Sequence, residues 1–201
     1  MQPDLIDVLI KDHDELRELF ERLKDPHLLP ERSQELASVA IAELVRHAVA
    51  EEAYLYPTAR EMLDGGEELV RREIAEHAHI EDLMKDLEKL PVDDTRFFEI
   101  LAELIGEVRA HIEQEESVLF LQMRAACDPN ELLRLGARAE AIKRIGPTRP
   151  HPSAPDNPPW NVLLAPGTGL VDRLRDVFSN RPTDLDQLTE QSKLDDLRAQ
   201  R

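Results

Sequence analysis

A histidine followed four residues later by a glutamate occurs twice in the chain, in the stretches "RHAVAEEAYLYP" and "AHIEQEESVLFL". The first stretch contains His47 and Glu51, and the second, 64 positions later, contains His111 and Glu115. Residues four apart lie on one face of an α-helix, about one turn from each other. Each pair can therefore contact one metal ion or two adjacent ions, so the spacing points to metal binding.

The same offset of 64 residues relates further parts of the two halves. It aligns His13 with His77 and also many apolar residues. Each half is thus predicted to form a helix pair with one histidine on its first helix and His-x-x-x-Glu on its second. Two such pairs, related by an approximate twofold axis, direct four imidazoles and two carboxylates into one interior. The predicted metal ligands are His13, His47, Glu51, His77, His111 and Glu115.

The face that carries His47 and Glu51 is also apolar, since Leu44, Ala48 and Leu55 flank it. An unpaired carboxylate in such a place is costly, and a bound cation removes the penalty. Imidazole and carboxylate ligands suit iron, zinc or manganese, and the lack of cysteine ligands argues against a structural zinc centre or an iron–sulfur cluster. Six ligands, two of them able to bridge, are too many for one catalytic zinc and suit two irons.

The glutamates around these ligands permit several roles. Glu52 and Glu116 follow the predicted ligands by one residue, about 100° around the helix, and are expected to face solvent, with Glu116 a second choice as ligand. Glu43 and Glu107 precede the two histidines by one turn, so each either orients an imidazole or lies on the exposed surface.

The composition limits the class of partner. The formal net charge is −17, with 42 acidic against 25 basic residues, which argues against a nucleic acid or an anionic membrane and favours cations. Cys127 is the single cysteine, which excludes an internal disulfide and fits a reducing cytoplasm. No signal peptide and no membrane-spanning run is recognisable. We therefore expect a cytoplasmic monomer or weak dimer with a small-molecule ligand.

Apolar residues recur at helical spacing in four segments, separated by proline, glycine and aspartate. The segments begin near Leu5, Leu36, Leu69 and Phe97. The second is long and a kink is possible near Pro57. The pattern predicts an all-α protein, with an antiparallel up-down four-helix bundle over residues 1–127. Residues 128–201 are predicted to form an extension that packs on or beside the bundle: a helix, a Pro-rich segment, a short amphipathic helix and a polar tail.

These motifs resemble the hemerythrin-like family, the bacterial HHE cation-binding domain. The resemblance covers about residues 3–126 and is carried by "KDHDEL", "RHAVAEEAYLYP", "AEHAHIEDL" and "AHIEQEESVLF", in this order and spacing. It implies a four-helix bundle that holds a non-haem di-iron centre and binds dioxygen or, in related proteins, nitric oxide or peroxide. The expected cofactor is a pair of iron ions bridged by an oxo or hydroxo group.

The chain departs from the oxygen-carrying members, which have His-x-x-x-His on the third helix. Here one imidazole is missing, and His77 has Glu73 and Glu81 around it. This argues against simple reversible oxygen carriage. Glu81 is one candidate for the vacant position. The other is Tyr54, only about 20° from His47 around an α-helix, and it is the predicted catalytic residue, donating a proton or coordinating iron.

The leading functional hypothesis is catalase-like disproportionation of hydrogen peroxide, because two irons that move between diferrous and diferric states exchange two electrons. The alternative is a non-enzymatic module that binds iron or senses oxygen, nitric oxide or redox state. A ferritin-like oxidase requires Glu-x-x-His on two helices, and the sequence holds one copy, Glu76 to His79. The third reading is therefore the weakest.

Overall fold

The computed structural model describes residues 2–150, 182–184 and 187. Seven α-helices lie within them: α1 Leu5–Leu23, α2 Pro30–Ala50, α3 Tyr56–Met62, α4 Gly66–Lys89, α5 Thr95–Gln114, α6 Phe120–Ala126 and α7 Pro129–Ile145. No strand occurs among the described residues. The predicted short amphipathic helix and most of the predicted Pro-rich segment and polar tail lie outside them.

Two π-helical turns join pairs of these helices into longer rods. One turn, Glu51–Leu55, connects α2 to α3, and the other, Glu115–Leu119, connects α5 to α6. The four rods α1, α2–α3, α4 and α5–α6 form the predicted antiparallel bundle, which confirms the fold class. Both π turns begin at a predicted ligand and lie 64 residues apart, so the sequence repeat is also a structural repeat. Such turns are frequent at functional sites.

Side-chain caps determine where several helices begin. Asp4 accepts a hydrogen bond from the backbone N–H of Asp7, whose side chain accepts one in return from Asp4, so α1 begins with a capping box. Asp94 caps α5, and Asp128 caps α7 just before Pro129. The second predicted helix, which begins near Leu36, is interrupted by the π turn Glu51–Leu55. Proline is not required for this, because the second turn forms without one.

Two hydrophobic clusters fill the bundle and leave a polar layer between them. In α1 the lower cluster holds Leu5 to Leu9, the upper cluster begins at Leu16, and His13 lies between. The other three rods pass from one cluster to the other in the same way, with their histidine or glutamate at the crossing. This alternation places every predicted ligand at one height in the bundle.

Helix α7 packs against α1 and α2. Gly136 permits a close approach to the start of α1, because a Cβ atom there would lie 2.6 Å from the backbone carbonyl carbon of Asp4. Leu132, Leu135 and Ala139 are buried on the same helix. The predicted helix of the extension therefore exists and covers one flank of the bundle. None of the described helices combines the length and the apolar character needed to cross a membrane.

Candidate metal centre

Four imidazoles meet in the polar layer as two pairs. The Nε2 atoms of His13 and His47 lie 3.1 Å apart, and those of His77 and His111 are separated by the same distance. We call the first pair the N-terminal half-site and the second the C-terminal half-site. Each pair combines one histidine from each helix of its own sequence half, as the repeat predicts.

Glu51 connects the two half-sites. Its Oε1 lies 3.2 Å from the Nε2 of His47, one turn earlier on the same rod, and its Oε2 lies 3.3 Å from the Nε2 of His77. The two oxygens of one carboxylate thus face different histidine pairs. A carboxylate in this position can bridge two metal ions.

Glu115 makes the reciprocal connection. Its Oε2 lies 3.4 Å from the Nε2 of His13 and 3.6 Å from the Nε2 of His111. The structure thereby brings all six residues predicted from the sequence together. Ligand atoms of His13, His47, Glu51 and Glu115 lie within 4.8 Å of one another, as do those of Glu51, His77 and His111.

The carboxylates of this layer lack ordinary partners. Glu51, Glu73 and Glu115 have fully buried side chains, and five of their six oxygens make no hydrogen bond among the described residues. The imidazole nitrogens at 3.2–3.6 Å are near them without hydrogen-bond geometry. A buried ionised carboxylate without a partner is strongly destabilising. Cations bound between the half-sites would satisfy these oxygens, so the residues fit a metal centre.

Glu73 is a seventh candidate ligand that the sequence analysis did not select. It lies one turn before His77 on α4, and its Oε2 lies 3.5 Å from the Nδ1 of His111. Its Oε1 accepts a hydrogen bond of 2.7 Å from the side chain of Gln114. It forms a further group with His111 and Glu115. The repeat indicated that Glu73 faces the interior, because the 64-residue offset aligns it with Leu9, which is apolar and buried. Glu81, the alternative weighed for this position, pairs with Lys85 at 3.4 Å.

Each imidazole has a carboxylate beside its second ring nitrogen, Nδ1. The pairs are His13 with Glu116 at 2.8 Å, His47 with Asp12 at 3.3 Å, His77 with Glu52 at 2.8 Å, and His111 with Glu76 at 2.9 Å. We call these four the outer carboxylates. Such partners orient a metal-binding imidazole and raise its basicity. The prediction that Glu52 and Glu116 face solvent was wrong, because each contacts a histidine of the site. The wider π turn allows two consecutive glutamates to reach the polar layer.

The π turn also decides which tyrosine meets the site. Its extra residue shifts the inward face, so that Leu55, Tyr56 and Ala59 are buried. The hydroxyl of Tyr56 lies 2.9 Å from the Nε2 of His77. Tyr54 is only partly buried, and within the described part of the chain no hydrogen bond or ring contact joins its side chain to the site. The angle predicted for Tyr54 assumed a regular α-helix.

The charges of the layer perturb one another strongly. Burial and the neighbouring Glu51 raise the pKa of Glu115 to about 8. Burial lowers the pKa of His47, but Glu51 and Asp12 outweigh this effect and raise it to about 10. Burial, followed by the charges of Glu51 and Glu115, raises the pKa of Tyr56 well above its usual value, so the phenol stays neutral. The cluster thus holds protons that an arriving cation must displace.

Comparisons with known proteins agree with this geometry. The model of the hemerythrin HHE cation-binding domain matches residues 4–122. An uncharacterised hemerythrin-like protein of Schizosaccharomyces pombe is 27% identical over 179 residues, which cover 88% of this chain and 87% of that protein. A DNA nickase of Nostoc is 29% identical over 118 residues, 59% of this chain and 33% of that protein. No solved structure gives a significant match. The chain belongs to the hemerythrin family of HHE cation-binding domains.

Proposed function

We propose that the chain holds two iron ions between its half-sites and acts on dioxygen or its reduced products, with disproportionation of hydrogen peroxide as its reaction. One observation carries the proposal. Five buried carboxylate oxygens that have no hydrogen-bond partner in the described part of the chain lie among four imidazoles whose Nε2 atoms face one another in pairs. Neutral imidazole and carboxylate are the ligand types that suit iron in such a layer.

The residues divide between the two ions. His13 and His47 would hold one ion, His77 and His111 would hold the other with Glu73, and the two bridging glutamates would contact both. Bound iron would supply the exchange of two electrons that converts two molecules of peroxide into water and oxygen.

The chain's own residues supply positioning and protons. The outer carboxylates fix the ring orientation of each imidazole, and the hydrophobic clusters on both sides limit the access of water. Tyr56 is neutral, buried and 2.9 Å from the metal-facing nitrogen of His77. It can therefore hold a proton next to the site and act as a proton donor to the substrate.

The test begins with metal analysis and an optical spectrum of the purified protein, followed by oxygen release from peroxide. We expect two irons per chain, absorption above roughly 300 nm from the oxidised pair, and evolution of oxygen. His47→Ala should lower the iron content. If the iron-loaded protein releases no oxygen from peroxide, the proposed catalase-like reaction is wrong, whereas the proposed metal centre is not contradicted.

Two matched variants separate the tyrosines. Tyr56→Phe is expected to slow oxygen release, because it removes the hydroxyl beside His77. Tyr54→Phe tests the role predicted for Tyr54 from the sequence. If iron is coordinated by a phenolate, a visible absorption band is present and disappears in the variant that lacks the coordinating tyrosine. Equal rates for both variants and the parent protein would rule out proton donation by either.

A non-enzymatic sensor is the second candidate, and one contact favours it. Lys143 of α7 pairs with Asp12, which neighbours His47, so the extension is connected to the site. A change of iron state could therefore alter the packing of α7. Limited proteolysis of diferrous and diferric samples tests this, and identical cleavage patterns would contradict it.

A further inference from the structure

Helix α7 lies beyond the part of the chain that the family model matches, yet it contributes a charge to the metal centre. The Nζ of Lys143 donates to one carboxylate oxygen of Asp12, and the other oxygen of Asp12 lies 3.3 Å from the Nδ1 of His47. The side chain of Lys143 is 17% exposed and that of Asp12 is 4% exposed. A chain of three side chains thus runs from α7 to the metal-facing nitrogen of the imidazole.

The other half of the molecule provides a natural comparison. Glu76 occupies the position of Asp12 in the repeat and contacts the Nδ1 of His111 in the same way. Its side chain is 40% exposed, and among the described residues no lysine or arginine forms an ion pair with it. Water can solvate Glu76, whereas α7 covers Asp12. The buried carboxylate needs a cation that the exposed one does not.

We propose that Lys143 is a positioning residue for the metal centre: by holding the carboxylate of Asp12 in place, it fixes the ring of His47 with Nε2 toward the bridging Glu51. The inference rests on the proposed metal centre. It makes α7 a working part of the N-terminal half-site. The four rods of the repeat therefore do not supply the whole N-terminal half-site, because Lys143 comes from α7.

The sign of the effect distinguishes positioning from simple charge. If Lys143 acted only through its positive charge, its removal would lessen repulsion of a cation and tighten metal binding. If it positions His47 through Asp12, its removal leaves Asp12 buried without a counter-charge. The carboxylate then turns away from the apolar surroundings, and His47 loses its fixed orientation. Metal binding becomes weaker.

The experiment is a titration of the metal-free full chain with Co²⁺, followed by its optical spectrum. For Lys143→Met we expect about tenfold weaker binding of one of the two ions and little change for the other. Lys143→Arg should restore binding. Arg134→Met is the matched control, because Arg134 lies on the same helix, is exposed and pairs with Glu131 of its own helix. Unchanged or tighter binding by Lys143→Met would overturn the proposal.

A double-mutant cycle tests the route through Asp12. In an Asp12→Asn background, Lys143→Met should have no further effect on Co²⁺ binding. Additive losses would contradict positioning through Asp12. This neutral pair also serves if Lys143→Met alone folds poorly, and circular dichroism of each variant checks the fold.

A measurement without metal separates this inference from the proposed function. In nitrogen-15 spectra of the histidine rings, Lys143→Met should change the Nδ1 signal of His47 and leave that of His111 unaltered. If the parent protein binds no Co²⁺, the metal centre is wrong and the ring spectra alone decide the role of Lys143. Identical ring spectra in parent and variant would refute it.

Discussion

The two half-sites have the same histidines and the same bridging glutamates, but their surroundings differ. In the N-terminal half-site both outer carboxylates carry a cation: Glu116 pairs with Arg17 at 2.7 Å and Asp12 pairs with Lys143. An apolar ring also lies beside this half-site, since Phe120 stacks on His13 with ring centres 5.5 Å apart. This half-site is close to electrically balanced outside its ligands.

The C-terminal half-site is more anionic. Its outer carboxylates, Glu52 and Glu76, have no lysine or arginine partner within ion-pair distance in the described residues. Glu73 stands where the other half has an apolar residue, and Tyr56 stands where it has a phenylalanine. The repeat thus diverged at a few positions next to the ligands. Two equivalent helix pairs therefore present unequal sites, because one of them adds a third candidate ligand and a phenol.

The largest effect on metal binding is expected when the carboxylate of Glu51, which faces both half-sites, is removed. Glu51→Ala should weaken binding of both ions by roughly 100-fold or more, because one carboxylate serves both half-sites. His111→Ala should affect mainly one ion. Isothermal titration with Co²⁺ measures both. A Glu51→Ala protein that still binds one ion with parental affinity would show that the half-sites are independent.

The next effect is that of pH. Metal binding displaces protons from His47, whose pKa is about 10, and from Glu115, whose pKa is about 8, so affinity should rise about tenfold per pH unit for each proton released between pH 6 and 8. Titrations in buffers of different ionisation enthalpy count the protons. Affinity that does not vary with pH would mean that the metal-free cluster is already deprotonated.

The same shifts give an opposite sign for the metal-free protein. Both groups bind protons more tightly when folded than when unfolded. Their stabilisation is therefore lost as the pH rises, from 4.5 to about 8 for Glu115 and from 6.5 to about 10 for His47. The free energy of unfolding should fall over this range. Urea denaturation of metal-free and metal-loaded samples checks the prediction.

Glu73→Leu makes the half-sites more alike, because Leu9 occupies the equivalent position. It should weaken binding of one ion about tenfold. It should also stabilise the metal-free protein by about 1 kcal/mol, since it removes a buried carboxylate with an unpaired oxygen. Metal titration and thermal unfolding measure the two effects. Unchanged affinity would exclude Glu73 as a ligand.

The smallest effect is expected for Arg17→Met. Glu116 is 29% exposed, so water can replace the guanidinium, and we expect less than about 1 kcal/mol in the binding of one ion. Lys143→Met, which breaks a buried ion pair, should cause a larger loss of binding free energy for one ion. An equal or larger loss for Arg17→Met would indicate that burial does not explain the difference between the two cations.

The fold and the family were predictable because helical periodicity and ligand spacing are local properties of the chain. Three of the four rods begin within about three residues of their first apolar residue, whereas the second begins earlier, at Pro30. The repeat located six of the histidines and glutamates that meet in the polar layer. Glu73 lies on the regular helix α4 and was not selected, whereas the other errors follow the two π turns, whose extra residue a regular helical periodicity does not include. They brought Tyr56 to the site and turned Glu52 inward. The division of the chain after Cys127, the role of Tyr54 and the cytoplasmic location stay predictions.

The spacing of residues along the chain was enough to predict four amphipathic helices and a repeat of the two halves, because both are properties of single helices. Which carboxylate contacts which imidazole, in contrast, depends on the packing of the helices. Glu116 reaches His13 across 103 residues, and Lys143 reaches Asp12 across 131. Such contacts depend on how the rods pack. The free energy of packing comes from many residues in two apolar clusters, so no single motif predicts it.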